Sequence, residues 1–334
     1  MFLATIAFVA CVNAAVPDVQ PRAWNPEQLV AVSETTLVPE SSGVVAARRS
    51  RDVYFTHGDS GSEKPRVWAF RLSQADRRKQ VARHLGYVEL IGAGNGDWED
   101  IAAGPAGMIY ILDGGDNPPC NRKEKRVIRF AEPRIDPDGR PVALKAKCES
   151  IRFEYPDPAD ASKPASRNED RYDAECLIVH PASGDVYIVT KRDNRDRPVA
   201  RVYKLQAGKV AWGSSRVHVL HFLVELPSSL NMVTAGDVDR EGRHVVLRNY
   251  WSAYEYALPA GKSFDDIFRA TSRVIPLFKE ALHVLQGEGI CYSTDGRELI
   301  ITTESPRGPE DEKFRVFVVP SAAQTQPDRG PKSK

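Results

Sequence analysis

Short apolar runs alternate with polar punctuation along most of the chain. Runs rich in Val, Ile, Tyr and Phe, such as Val53-Tyr54-Phe55, Met108 to Leu112, Val186 to Val189 and Leu299-Ile300-Ile301, are interrupted by Gly, Asp and Pro. β-Branched and aromatic residues in runs of this length, bounded by turn formers, predict strands. Helical periodicity is confined to two short stretches, Ser73 to His84 and the residues around Phe264 to Phe268.

The strand runs repeat. Five segments share a plan in which a polar residue opens an apolar strand, a turn follows, and a second apolar strand ends in a polar cluster. They open at Ser41-Ser42-Gly43-Val44, Asp97-Trp98-Glu99-Asp100-Ile101, Asp173-Ala174-Glu175-Cys176-Leu177, Thr234-Ala235-Gly236-Asp237-Val238 and Gly287-Glu288-Gly289-Ile290. A third strand follows in most units, as in Arg66 to Phe70, Arg126 to Phe130, Arg201 to Leu205 and Arg315 to Val318. Units of roughly fifty to seventy-five residues built as meanders match propeller blades. The last unit ends after its third strand, and Gln28 to Leu37 supplies the fourth. The expected fold is all-β: a single β-propeller over residues 24–320, of about five blades of four-stranded antiparallel meanders, closed by an N-terminal strand. Six blades also fit the pattern, and a regular β-sandwich is the competing architecture.

Composition narrows the setting. A chain of 334 residues that is 42% hydrophobic can bury a substantial core. With 46 basic and 45 acidic residues the net charge is +1, so no overall field favours nucleic acid or an anionic membrane. An apolar run from Phe2 to Val12, then Asn13-Ala14-Ala15, reads as an export signal over residues 1–15, and the run is too short to span a bilayer. The expected location is therefore secreted or periplasmic, with a lipid anchor at Cys11 as the alternative. Cys120 and Cys148 flank one loop-rich stretch and could form a disulfide in an oxidising compartment, whereas Cys176 and Cys291 sit in apolar runs as buried thiols. The tail, residues 321–334, has the composition of a disordered segment.

In a propeller, the residues opening the first strand and closing the second strand of every blade converge on one mouth of the central channel. The first such ring is Ser42, Glu99, Glu175, Thr234 and Glu288. Three converging carboxylates repel unless a cation or protons compensate, and an oxygen-only donor set suits Ca²⁺. Pairing of the three Glu with nearby Arg and Lys is the plainer reading. The second ring contains His57 and Asp59, Asp113 to Asn117, Lys191 to Asn194, Arg248 to Tyr250, and Glu304. Here Lys191 and Arg248 are the candidate anion binders, and His57, Asp59 and Asp116 the acid–base or water-positioning candidates. Trp98, Tyr250 and Trp251 either stack on a ligand or pack between blades.

The order Ser, Glu, Glu, Thr, Glu at the inner strands resembles the calcium-activated apyrase nucleotidases, five-bladed propellers with an axial Ca²⁺. Asp59-Ser60-Gly61 lies where that family carries a turn with an arginine, which this chain lacks. More broadly, Thr56-His57-Gly58-Asp59-Ser60-Gly61, Asp97 to Ala102 and Asp173 to Leu177 are similar to secreted bacterial propellers of phytase-like and gluconolactonase-like type. The resemblance implies an exported Ca²⁺-dependent hydrolase acting on a phosphate ester, anhydride or lactone, with a small anionic or polar ligand at the channel mouth. A non-catalytic exported propeller with a structural calcium, docking a ligand or protein partner, is the alternative. No Gly-x-Ser-x-Gly nucleophile motif is present.

Overall fold

The computed structural model describes residues 19–38, 40–59, 64–94, 96–275, 277, 286–304 and 313–322. The export signal with Cys11, the Ser60 to Ser62 turn and the tail beyond residue 322 lie outside the described residues.

Five four-stranded antiparallel blades form around an axis. Strand β1 (Gln28–Ser33) comes first in sequence but belongs to the last blade. Blade 1 is β2 (Ser41–Ala46), β3 (Val53–Gly58), β4 (Arg66–Arg71) and β5 (Val81–Ile91). Blade 2 is β6 (Trp98–Ala103), β7 (Met108–Asp113), β8 (Lys125–Ala131) and β9 (Val142–Glu154). Blade 3 contains β10 (Tyr172–Val179), β11 (Val186–Asp193) and β12 (Arg201–Leu205). The short β13 (Val217–Val219) then leaves to pair with β9, and β14 (His221–Glu225) completes blade 3. Blade 4 is β15 (Val233–Val238), β16 (His244–Asn249), β17 (Ala253–Ala257) and β18 (Ser272–Ile275). Blade 5 is β19 (Gly287–Tyr292), β20 (Glu298–Thr303), β21 (Arg315–Pro320) and, antiparallel to β21, β1. The N-terminal strand thus closes the ring as its sequence predicts, and the blade count is five rather than six.

The burial pattern explains why each strand takes its place. All five inner strands are buried along their whole length. They are rich in Ser, Gly, Ala and Cys because neighbouring inner strands nearly touch: a Cβ on Gly43 would lie 2.9 Å from the Ile101 backbone nitrogen. The outer strand β9 instead alternates exposed and half-buried positions over most of its length, as a one-sided strand should. Five apolar clusters fill the five gaps between adjacent blades. One example packs Phe55 and Val67 of blade 1 against Trp98, Ile101 and Ile111 of blade 2. The last gap, between blades 5 and 1, includes Ala31 of the closing strand with Tyr54, Cys291 and Val316. Parallel pairing of β1 with β5 and of β5 with β9 joins the outer rims of blades 5, 1 and 2.

Two expectations need correction. Within Ser73 to His84 only Gln74–Arg78 (α1) is helical; Ser73 caps it and Asp76 answers from the third helical position. From Val81 the chain becomes the rim strand β5, so tertiary pairing overrides a weak helical pattern. The second stretch forms a short 3₁₀ turn, Phe264–Arg269. Cys120 and Cys148 are not bridged. Cys120 Sγ donates to the Asp116 carbonyl at 3.1 Å in the loop after β7, while Cys148 sits along β9 opposite Phe130, with Sγ 3.4 Å from the Ile91 carbonyl. No helix among the described residues is long and apolar enough to cross a membrane.

Candidate metal centre at the channel mouth

The inner strand of every blade carries a β-bulge at its start, and the five predicted ring residues occupy those bulges. Pairing jumps from Ser41 to Gly43, from Trp98 to Asp100, from Ala174 to Cys176, from Val233 to Ala235 and from Gly287 to Ile290. Ser42, Glu99, Glu175 and Thr234 are the residues skipped, and Glu288 is skipped together with Gly289. A bulge releases a residue from the ladder and re-aims its side chain. All five are buried.

The carboxylates gather unevenly. Oxygens of Asp59, Asp97 and Glu99 lie within 4.8 Å of one another, and so do oxygens of Glu99, Asp173 and Glu175. Glu99 is common to both groups. Asp97 and Asp173 were not among the predicted ligands, although a signal existed: Asp-x-Glu recurs as Asp97-Trp98-Glu99 and Asp173-Ala174-Glu175. Gly115 permits the crowding, because a Cβ there would stand 1.9 Å from Glu99 Oε1 and 2.5 Å from Asp97 Oδ2.

Some of this charge is balanced. Lys191 Nζ lies 2.7 Å from Glu175 Oε1, and its ammonium sits 5.0 Å from the centre of the Tyr250 ring. Arg192 Nε donates to Asp173 Oδ2 at 2.8 Å, and the Asp116 N–H donates to Asp173 Oδ1 at 2.8 Å. The Glu99 carboxylate makes no hydrogen bond or ion pair among the described residues. Burial, then the neighbouring Glu175, Asp59 and Asp97, pushes its pKa well above the carboxylate range. Glu175 is also pushed up, by burial first, against the opposing pull of Lys191. Burial and the charges of Asp97 and Glu40 raise Asp59 to about 8, and burial raises Glu288 to about 7 despite Lys191. These are the electrostatics of an anionic site short of positive charge.

The remaining predicted residues take different places. The Ser42 hydroxyl donates to the Glu99 carbonyl at 2.7 Å, and the Thr234 hydroxyl to the Gly287 and Glu288 carbonyls at 3.3 Å each. Both therefore bridge neighbouring blades. Asp116 turns its carboxylate to Lys125, in a buried ion pair, and to the Arg122 N–H at 2.9 Å. His57 is fully enclosed, with Nδ1 3.0 Å from the Gly58 carbonyl and its ring edge-on to Trp98 at 5.8 Å. Burial lowers its pKa to about 4. Arg248 is also fully enclosed; Nη1 reaches the Gly289 carbonyl at 3.5 Å and Nη2 has no hydrogen-bond partner. Both side chains are thus enclosed by neighbouring backbone and side chains, and of the two only Arg248 feels nearby carboxylates, Glu27 and Glu288. Trp98 is fully buried and donates to the Gly94 carbonyl at 3.1 Å, whereas Trp251 is half exposed beside Tyr250.

No protein-family model matches the chain, and no curated protein sequence matches it. Among solved structures, it is similar to the PQQ-bound form of an aldose sugar dehydrogenase from Streptomyces coelicolor, with TM-score 0.43 and 12% identity, covering 90% of this chain and 100% of that one. It is also similar to a Trichoderma reesei carbohydrate-active enzyme of family AA12, with TM-score 0.47 and 11% identity, covering 95% and 100%. The propeller assignment rests on the strand pairing of this chain. That pairing gives an all-β fold of five closed blades, with acidic groups at one mouth that could hold a metal.

Proposed function

We propose that the chain is an exported β-propeller that binds Ca²⁺ at the carboxylates of the channel mouth and hydrolyses a phosphate ester, anhydride or lactone there. One observation carries the reading: Glu99, buried and without a hydrogen bond or ion pair among the described residues, belongs to two clusters of acidic oxygens at once. Oxygen-only donors of this charge favour a hard cation. Asp59, Asp97, Glu99, Asp173 and Glu175 are the holding residues. A cation there would polarise a substrate oxygen and lower the pKa of a bound water. Asp59, at the half-buried rim with a carboxylate oxygen within 4.8 Å of those of Asp97 and Glu99, is the candidate for moving a proton. Lys191 is the cation nearest the cluster that could offset developing negative charge. Residues 1–15 serve as the export signal in this reading and residues 24–320 as the propeller.

A second reading has its own support. Lys191 is already paired with Glu175 and Arg248 is enclosed, which suits a structural calcium in a non-catalytic binding propeller. Assaying the protein with p-nitrophenyl phosphate, ATP and a γ-lactone, with Ca²⁺ and with chelator, separates the two. Calcium-dependent turnover that is lost in Asp59→Asn supports the hydrolase. Calcium binding without turnover of any of the three supports the binding propeller.

A further inference from the structure

The channel has a second mouth, where arginines and carboxylates are mixed. A cavity of about 350 Å³ opens where the inner strands end, lined by Ala46 and Arg48 of blade 1, Asp237 and Arg240 of blade 4, and Tyr292 and Thr294 of blade 5. Hairpins between the first and second strands of these three blades supply the rim. They carry Arg48, Arg49, Arg51 and Asp52, then Asp239, Arg240, Glu241 and Arg243, then Asp295 and Arg297.

The acids nearby are mostly engaged. Asp239 is held by Arg22 at 2.6 Å and by His244 at 2.7 Å. Asp295 pairs with Arg51 at 3.1 Å and accepts from Ser293 at 2.9 Å. Glu241 stands exposed at the rim. By contrast, the guanidinium groups of Arg48, which is half-buried, and of Arg240, which is exposed, make no hydrogen bond or ion pair among the described residues. The cavity floor is the buried Asp237, whose Oδ2 accepts from the Tyr292 N–H at 2.9 Å. Arg48, whose charge also acts on the buried Asp237, and Arg240 have guanidiniums without a hydrogen-bond partner among the described residues, and over a concave site of this size they are suited to a carboxylate or phosphate, which arginine binds through paired N–H donors. A buried carboxyl beneath them suits a hydroxyl donor on the same molecule.

We propose that this mouth is a second ligand site, taking a small hydroxylated organic anion whose carboxylate or phosphate is held by Arg48 and Arg240 and whose hydroxyl faces Asp237. It does not depend on the metal centre at the opposite end.

Titration calorimetry of the full chain in chelator tests it, with glucose 6-phosphate and gluconate as probes and glucose as the neutral control. At least one of the two anions binds while glucose does not, and Arg48→Ala and Arg240→Ala each weaken that binding about tenfold, the loss of one charge-assisted contact. Arg240 is exposed, so its variant reads binding without disturbing the fold. Glu99→Gln leaves the affinity unchanged. Failure of both anions to bind, unchanged affinity in the two arginine variants, or loss of binding in Glu99→Gln would each overturn the proposal, the last by placing the anion at the metal end.

Discussion

Gly115 and Glu99 are fitted to each other: a single methyl group on Gly115 would lie 1.9 Å from Glu99 Oε1. Atoms do not approach so closely, and the same methyl would lie 2.5 Å from Asp97 Oδ2, so Gly115→Ala forces the Glu99 and Asp97 carboxylates to move. Changing a residue that positions a metal ligand typically costs about ten- to a hundredfold in affinity. Calorimetric titration of Gly115→Ala with Ca²⁺ therefore gives a dissociation constant higher by that range while the far-ultraviolet circular dichroism of the propeller is retained.

Lys191 and Glu175 are each almost fully buried and lie 2.7 Å apart. Removing one partner of a buried pair leaves an uncompensated charge and costs about 3 kcal/mol or more. Lys191→Met in chelator is destabilised by that order in denaturant unfolding. The same variant is rescued more by Ca²⁺ than the wild type, because the ammonium that competes with the metal for Glu175 has gone. A Lys191 that served only to bind substrate would leave both quantities unchanged.

The pH dependence has two opposing parts. His57 titrates near 4 in the folded chain against an ordinary 6.5, so its contribution is present above 6.5 and is lost as pH falls through 4. At about 1.4 kcal/mol per pH unit it is worth on the order of 3 kcal/mol. Asp59 near 8 and Glu288 near 7 have raised values, so their contribution is full below the ordinary carboxylate range, near 4, and is lost as pH rises through 7 to 8. In chelator the two oppose each other between pH 4 and 6.5, and stability then falls above 6.5. In His57→Asn the fall begins near pH 4. Ca²⁺ flattens the alkaline loss, because the cation replaces the protons. Denaturant midpoints from pH 4 to 9 check all three statements.

Much of the fold is legible in the sequence because each blade repeats one local plan. The bulged position is marked in every repeat by a polar residue before a small, apolar inner strand, which is how Ser42, Glu99, Glu175, Thr234 and Glu288 can be grouped across more than two hundred residues. The closing strand is legible for the same reason: Gln28 to Leu37 is an apolar run in search of a blade, and the first six of those residues pair with β21 as β1. What is not legible depends on distances between chains of different blades. Ser42 and Thr234 share the bulge pattern with the glutamates, yet their short hydroxyls reach only the next blade's carbonyls. Asp116 looks like a mouth residue until Lys125, nine positions on, captures its carboxylate. The burial of His57 and Arg248 likewise follows from neighbours that no local pattern reveals.

The most direct measurement is scanning calorimetry of the wild type and Glu99→Gln, each in excess Ca²⁺ and in chelator. A ligand bound only by the native state at a hundredfold excess over its Kd adds about 2.7 kcal/mol. A metal held by Glu99 gives a raised Tm for the wild type in Ca²⁺, and for Glu99→Gln a Tm that Ca²⁺ no longer changes. A wild-type Tm that is the same in Ca²⁺ and in chelator contradicts this, and leaves the carboxylates of the mouth as groups held by protons, Lys191 and Arg192 alone.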